Sequence, residues 1–313
     1  MKRHLNCGFA IVLLLTTSMA TPIQKAAIAL VAAPALATED DSVTLTQQAL
    51  AAFQQGDFST ALILATQAIK LEPKQTRNWL TRAQIYDAKR DYAKAIADYS
   101  QVLRLDPKSA AVWQARGESH FKQGEIAESL VDFDNFLRLV PDQKPFHWQR
   151  GISLYYAGRF AEGKQQFELH QTVNSHDVEN AIWHFLCTAR ADGLEAAKKR
   201  LIPIEQDARV PMAQVHQLFA GKIRPEGVIA AAQSAPQKTR AGEPLFYAHL
   251  YLGLYFEALG DEKRAREYIL KAATQAKDNG YMGDVARIHA ERVKKRKSRR
   301  ETLPAGNRNS PTE

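Results

Sequence analysis

The chain has 313 residues, 45% of them hydrophobic and 24% charged, which is enough for two folded domains or one long array. Its net charge of +8 comes from the two ends. Lys2, Arg3 and Lys25 contribute +3, and seven basic residues between 292 and 300 contribute +7, which leaves −2 for the rest. This distribution excludes a broadly basic body, so we expect no nucleic-acid partner.

The first 37 residues have the pattern of a secretory signal peptide. After a short basic start come the apolar runs GFAIVLLLTTSMA (8–20) and AAIALVAAPALA (26–37). The Ala-Leu-Ala that ends at Ala37 fits the small-x-small rule, so we predict cleavage there and export to the periplasm or cell envelope. The alternative is an uncleaved membrane anchor, although each run is short for a span and Pro22 and Lys25 separate them.

The two cysteines argue against a lipid anchor and against a disulfide framework. Cys7 precedes the apolar run, whereas the cysteine of a lipoprotein has to follow it. Signal cleavage would remove Cys7 and leave Cys187 as the one cysteine of the mature chain.

A repeat of 34 residues begins soon after the signal segment. Small residues recur at Ala49, Ala83, Gly117 and Gly151, and again at Ala61, Ala95, Ser129 and Gly163. The other columns are Gly56, Arg90, Gly124 and Gly158, then Arg82, Arg116 and Arg150, and finally Pro73, Pro107 and Pro141. The small columns allow two helices to approach closely, the glycine column ends the first helix in a left-handed turn, and proline closes the second helix. Each unit is therefore a helix–turn–helix that has to stack on its neighbours.

The stretches WLTRAQIYDAKRDYAKAIADYSQVLRLDP (79–107) and WQARGESHFKQGEIAESLVDFDNFLRLVP (113–141) resemble the tetratricopeptide repeat family. The first stretch carries the Trp, Ala, Tyr, Ala and Pro of that motif, and the second carries Trp, Gly, Gly, Phe and Pro. The resemblance implies an all-α, right-handed superhelix of about seven antiparallel helix pairs with a C-terminal capping helix. The predicted segments are a signal peptide (1–37), four repeats within 38–177 (42–75, 76–109, 110–143 and 144–177), degenerate helical repeats (178–245), a further repeat (246–279), a capping helix (280–297) and a basic, disordered tail (298–313).

The order of these parts is similar to that of the periplasmic lipoprotein-type repeat adaptors, which hold bacterial cell-wall hydrolases and proteases together. The lipid-anchor motif of those adaptors is missing from this sequence. The resemblance implies an exported, non-enzymatic scaffold whose partners are one or more proteins, such as cell-wall hydrolases or proteases.

The stretch HDVENAIWHFLCTAR (176–190) raises the question of a catalytic or metal site. His184 falls in the column of repeated arginines, and Cys187 is three places further along the same predicted helix. A catalytic thiol needs a third orienting group and an oxyanion site, and the histidines lack the spacing of a helical zinc site. We therefore interpret both residues as packing residues and predict no catalytic residue, no metal ligand and no cofactor.

In the resembling family, partners bind along the concave face, which the first helix of each repeat lines. Carried over by 34-residue steps, the early groove positions are Arg77, Gln84, Asp87, Gln114, Glu118 and Lys122. The predicted partner-binding groove consists of Trp148, Gln149, Tyr155, Tyr156, Glu179, Trp183, Arg190 and Tyr251. Aromatic residues and arginine are typical of interface anchors, but the same aromatics could equally fill the core. Binding of a glycan or another small molecule by these aromatics is the alternative function.

The C-terminal segment is strongly basic. Its predicted basic surface comprises Arg292, Lys294, Lys295, Arg296, Lys297, Arg299 and Arg300. After export, such residues could contact anionic lipid head groups, acidic wall polymers or an acidic partner weakly, or they could simply keep the protein soluble.

Overall fold

The computed structural model describes residues 39–235, 243–276 and 279–302, with side chains described as far as Lys295. These residues form fifteen α-helices and one 3-10 helix, and no strand occurs among them. The predicted signal peptide (1–37) and residues 303–313 of the predicted tail lie outside the described residues.

The helices follow one another as antiparallel pairs. The first eight are α1 (Glu39–Gln54), α2 (Phe58–Leu71), α3 (Thr76–Ala88), α4 (Tyr92–Leu105), α5 (Ala110–Gln123), α6 (Ile126–Leu139), α7 (Trp148–Tyr156) and α8 (Phe160–Gln171), with the 3-10 helix Pro141–Phe146 before α7. The remaining seven are α9 (Val178–Ala191), α10 (Leu194–Lys199), α11 (Met212–Phe219), α12 (Pro225–Ser234), α13 (Pro244–Ala258), α14 (Glu262–Thr274) and α15 (Gly280–Thr302).

The columns of small residues lie where the two helices of a pair touch. A β-carbon added to Gly117 would lie 2.8 Å from the Phe133 ring, and one added to Gly151 would lie 2.6 Å from the Phe167 ring. Contacts this short force neighbouring side chains to move, so a larger residue would separate the two helices. The predicted reason for these columns is confirmed.

The turn between the two helices of each regular pair has a left-handed residue. Gly56, Gly124 and Gly158 have φ values between 77° and 88°, and Arg90 adopts a φ of 61° at the corresponding place. Glycine takes this conformation without a steric penalty, whereas arginine does not, so the turn after α3 is the unusual one.

Repeated arginines connect the second helices of successive pairs. Arg82 makes two hydrogen bonds to the Asp98 carboxylate at 2.8 and 2.9 Å, and Arg116 makes the equivalent pair to Asp132 at 2.8 and 2.7 Å. Each arginine also reaches 16 residues back, as Arg116 does to the Ser100 hydroxyl at 2.9 Å. One side chain on the first helix thus joins its own second helix to that of the preceding pair.

The later region departs from this regularity. Helix α10 has only six residues, and the aromatic side chains of α7, α9 and α13 join residues of α11, α12, α14 and α15 in one large apolar cluster. The degenerate helical repeats predicted within 178–245 appear as α9 with α10 and α11 with α12, of which α10, α11 and α12 have only six, eight and ten residues.

The final helix is longer than the predicted capping helix. Residues 298–302 are helical, so their assignment to a disordered tail was wrong. Helix α15 is described from Gly280 to Thr302. Within the described part of the chain, no helix has both the length and the apolar character needed to cross a membrane.

Candidate protein-binding surface

His184 and Cys187 are packing residues in the structure. The His184 Nε2 atom lies 3.3 Å from a carboxylate oxygen of Glu168, which precedes it by 16 residues. The repeated arginines contact residues at the same sequence separation. The Cys187 sulfur is fully buried and would lie 2.8 Å from a β-carbon added to Gly163. Burial raises the pKa of the Cys187 thiol far above its ordinary value, so the reactive thiolate is disfavoured. The arrangement therefore supports packing and provides no activated nucleophile.

Four of the eight predicted groove residues are core residues. Trp183 is 1% exposed, and Tyr155, Tyr156 and Tyr251 are also buried. The Trp183 ring packs edge-on against Tyr155, with 5.3 Å between the ring centroids. The expectation of an open aromatic groove is therefore wrong for these four, because side chains of adjacent first helices converge and bury one another.

Glu179, another predicted groove residue, belongs to a group of ion pairs. Arg209 donates hydrogen bonds to the Glu179, Asp177 and Asp207 carboxylates at 2.9, 2.6 and 2.6 Å. The Tyr251 hydroxyl donates to the other Glu179 oxygen at 2.7 Å. Burial raises the pKa of Glu179, although the positive charge of Arg209 opposes that shift. These partners hold Glu179 in place, and its side chain stays 18% exposed, so its role in a groove remains a prediction.

Sequence reasoning did not identify Arg209. It lies between two degenerate helix pairs, where the 34-residue columns no longer assign positions. The one available signal is the sequence Asp207-Ala208-Arg209, whose opposite charges lie two residues apart.

The remaining three predicted groove residues are at least partly accessible. Arg190 is exposed and lies over the Phe160 ring, 4.9 Å from its centroid. Trp148 and Gln149 are half-buried, and the Gln149 amide reaches a Glu118 oxygen at 3.5 Å. Trp148 and Gln149 are neighbours at the start of α7, whereas Arg190 is in the last turn of α9.

Helix α15 covers part of the inner surface, which is the surface formed by the first helix of each pair. The Tyr281 ring stacks on Phe121 with 5.0 Å between centroids and meets Trp148 edge-on at 5.1 Å. Further along α15, the two ring nitrogens of His289 lie 2.9 Å from the Tyr156 hydroxyl and 2.9 Å from a Glu257 oxygen. These contacts explain why Tyr156 is inaccessible.

Two residues of the predicted basic surface prove to have partners within the fold. Arg292 donates to the Tyr156 carbonyl at 2.5 Å and lies over the Tyr156 ring, so it does not belong to the predicted basic surface. Lys294 pairs with Glu291 at 2.8 Å, and Lys295 is exposed. The side chains of the other four predicted tail residues lie outside those described: Arg296, Lys297, Arg299 and Arg300.

Comparison with known proteins agrees with this geometry. A model of the tetratricopeptide repeat family matches residues 46–110 and 80–147. A solved tetratricopeptide repeat protein from Parabacteroides merdae aligns with 82% of this chain and 99% of its own, at 17% identity and a TM-score of 0.55. Residues 46–147 match tetratricopeptide repeats, and the described helices share the fold of such proteins. The crystal structure of MamA protein aligns with 59% of this chain and 94% of its own, at 14% identity and a TM-score of 0.50. No curated protein matches the chain.

The predicted all-α tetratricopeptide repeat fold is thus confirmed, and such domains bind protein partners in general. In this repeat protein, the inner surface of the first three pairs carries accessible polar side chains. Arg77 and Gln84 are exposed on α3. The Asp87 and Glu118 side chains are 24% and 28% exposed and share Lys122, whose Nζ atom lies 2.9 Å from Asp87 and 4.0 Å from Glu118. Lys122 thus lies between the two carboxylates.

A cleft remains beside α15 in the later repeats. Its volume is about 250 Å³, and it is lined by both apolar and charged groups, among them Tyr155, Phe160, Arg190, Glu257 and Arg292. It is narrow compared with most sites for drug-sized ligands, whose volumes start at about 300 Å³.

Proposed function

We propose that this protein is a non-enzymatic scaffold, exported to the bacterial cell envelope, that binds partner proteins on the inner surface of its first three helix pairs. The observation that carries the proposal is the contrast along that surface. Arg77 and Gln84 remain exposed on α3, whereas the aromatic residues of the later first helices are buried. A partner can reach the early positions without any rearrangement of the fold.

The chemistry of this surface favours a polar, extended segment over an apolar one. Glutamine and carboxylate side chains offer hydrogen bonds to a peptide backbone, and Arg77 and Lys122 match the charges of Asp87 and Glu118 in number. Cell-wall hydrolases or proteases are the partner class that we propose, from the resemblance to periplasmic repeat adaptors.

Two features support a non-enzymatic role. The strongest candidate nucleophile, Cys187, is buried with a raised pKa, and His184 contacts Glu168 instead of the thiol. The glycan-binding alternative loses its main support because Trp183 and its neighbouring tyrosines are buried.

The proposed binding surface can be tested with a photo-crosslinking amino acid in the full chain. We expect a probe at Gln84, exposed on α3, to capture a partner in living cells. The matched control is Gln67, which is exposed on α2, the second helix of its pair. Capture from both positions alike, or from Gln67 alone, would exclude the inner surface as the main docking site.

The proposed export rests on residues 1–37 and needs its own measurement. Mass spectrometry of the purified protein should show a mature chain that begins at Thr38. A chain that still begins at Met1 would contradict cleavage and favour the anchor alternative.

A further inference from the structure

A cavity lies at the start of α9, between residues of α7, α8, α9 and α15. Its volume is about 180 Å³, and its lining residues are Trp148, Ile152, Phe167, Asp177, Glu179, Asn180, Trp183 and Met282. The Asp177 and Glu179 side chains are 20% and 18% exposed. Ile152, Phe167 and Trp183 are each only 1% exposed. The cavity therefore has a charged, partly exposed mouth and a buried floor that is mostly apolar.

Two buried polar atoms of the lining residues have no hydrogen-bond partner among the described residues. They are the Asn180 Oδ1 and Trp183 Nε1 atoms. The Asn180 Nδ2 atom donates to the Phe167 carbonyl at 3.2 Å and to the Gln171 amide oxygen at 3.0 Å. Because both of these groups are acceptors, the orientation of the Asn180 amide is fixed, and its oxygen is the atom without a partner. A buried acceptor and a buried donor of this kind call for an occupant that both donates and accepts hydrogen bonds.

The charges at the mouth favour a cation over an anion. Three carboxylates, those of Asp177, Glu179 and Asp207, surround the single guanidinium of Arg209. The first two amide groups of α9 donate to Asp207 and Asp177, so they are already satisfied and do not form an anion site. Burial raises the pKa of Glu179, and a positive charge placed beside it would favour its ionised form.

An ammonium group matches the acceptors that are available here. It has three N–H donors, and the cavity offers oxygens of Asp177, Glu179 and Asn180, which are close together at the start of α9. The rings of Trp148 and Trp183 also line the cavity, and indole rings attract cations. The Trp183 N–H group needs an acceptor, which an ammonium group lacks, so the occupant has to bring an oxygen atom as well.

We infer that this cavity is a binding site for a small organic amine that also carries a hydroxyl or carbonyl oxygen. The ammonium group binds Asp177, Glu179 and Asn180, and the oxygen accepts the hydrogen bond of the Trp183 indole. The volume is below the roughly 300 Å³ at which sites for drug-sized ligands begin, so the ligand has few non-hydrogen atoms. This site goes beyond the proposed scaffold function and does not depend on it, since crosslinking at Gln84 tests the scaffold separately.

The test follows the indole N–H resonances of the full chain by NMR, with isotope-labelled tryptophan and aminobutanol as the probe. We expect a saturable shift of the Trp183 resonance. The Trp79 and Trp113 indoles donate to the Pro73 and Pro107 carbonyls, both at 2.9 Å, so their resonances should stay unchanged and serve as internal controls. No saturable shift at Trp183 would overturn the inference.

Two further probes have the same number of non-hydrogen atoms as aminobutanol. Pentylamine keeps the ammonium group and lacks the oxygen, whereas pentanol keeps an oxygen and lacks the charge. We expect pentylamine to bind at least about three-fold more weakly than aminobutanol, and pentanol at least about ten-fold more weakly. Equal binding of all three would contradict the inference, because it would show that the cavity accepts any apolar chain.

A variant tests the charged mouth. Asp177→Asn keeps an N-cap residue that can accept the same hydrogen bonds, and it removes one negative charge. It should weaken aminobutanol binding at least about five-fold. The matched control Asp192→Asn makes the same change in charge just after the other end of α9 and should leave binding unchanged. Equal binding by these two variants would overturn the inference, and if Asp177→Asn fails to fold, the comparison of aminobutanol with pentanol on the unaltered chain decides.

Discussion

The early and late halves of the array are held together in different ways. In α1–α6, the same contacts recur every 34 residues, as in the Arg82–Asp98 and Arg116–Asp132 pairs. In α7–α15, contacts join distant parts of the chain, and the Tyr156 hydroxyl meets His289 across 133 residues. Within α1–α6 most contacts therefore join neighbouring helices, whereas α15 makes contacts across long stretches of the chain to α7 and to the end of the early half at Phe121.

This difference decides which surface is accessible. A nearest-neighbour array buries only the faces between helices, so the polar inner positions of the early half stay open to solvent. Helix α15 lies over the inner surface of the later half, where aromatic residues are buried, and it reaches the early half only at its edge, at Phe121 and Arg90. The more conspicuous aromatic residues are therefore structural, and the less conspicuous polar ones are available for binding.

The largest expected effect comes from Trp183→Ala in the later half. Truncation of this fully buried indole should lower the free energy of unfolding by about 3–5 kcal/mol, because it leaves a cavity among Tyr155, Tyr156 and their neighbours. Urea unfolding followed by circular dichroism measures the loss. The control is Trp113→Ala in the early half, where the indole is half-buried, and its loss should be smaller. If both variants lost a similar free energy of unfolding, the early and late halves would not differ in how deeply their tryptophans are buried.

A second prediction compares two arginines of one column. Arg116→Ala should cost about 3 kcal/mol, because it leaves the Asp132 carboxylate, 2% exposed, without its partner. Arg150→Ala should cost about 1 kcal/mol or less, because Asp134 is 48% exposed and water can replace the arginine.

The same experiment includes a rescue. Adding Asp132→Ala to Arg116→Ala should recover part of the stability, since it removes the uncompensated buried charge. The periodic ion pairs would have no special role in the early half if the double variant were less stable than Arg116→Ala alone.

The third prediction concerns the close contact between α7 and α8. Gly151→Leu should cost about 1–3 kcal/mol, because even a β-carbon at this position would overlap the Phe167 ring. The control is Ala157→Leu, at an exposed position just after α7, which should change the melting temperature little. Equal melting of the two variants would show that the small column is not required for packing.

The smallest expected effect is on thiol chemistry in the later half. In a full-length Cys7→Ser chain, Cys187 should resist alkylation by iodoacetamide at pH 8, because burial keeps the thiol protonated and inaccessible. The same thiol should react readily once the chain is unfolded in guanidinium. Rapid labelling of the native protein would mean that α9 opens often, and would weaken the description of this region as a closed core.

Much of the fold could be predicted from the sequence because its repeated contacts are local. The 34-residue columns identified the positions of close approach, such as Gly117 and Gly151, and the turns with a left-handed residue. His184 was placed correctly in the arginine column, where it reaches 16 residues back to Glu168. A periodic pattern predicts such contacts because each partner lies at a fixed offset along the chain.

The position of α15 was decided by tertiary structure alone. Sequence predicted a helix near 280–297, but nothing local shows that Tyr281 stacks on Phe121 or that Asp284 reaches Arg90. Trp183 is a core residue because it packs against Tyr155 and Tyr156 of the adjacent first helix, and Tyr156 is in turn covered by His289, 133 positions away. Short-range periodicity determines which helices form and how neighbours pair, whereas burial of the inner surface depends on contacts between residues more than 100 positions apart, for which no sequence period exists.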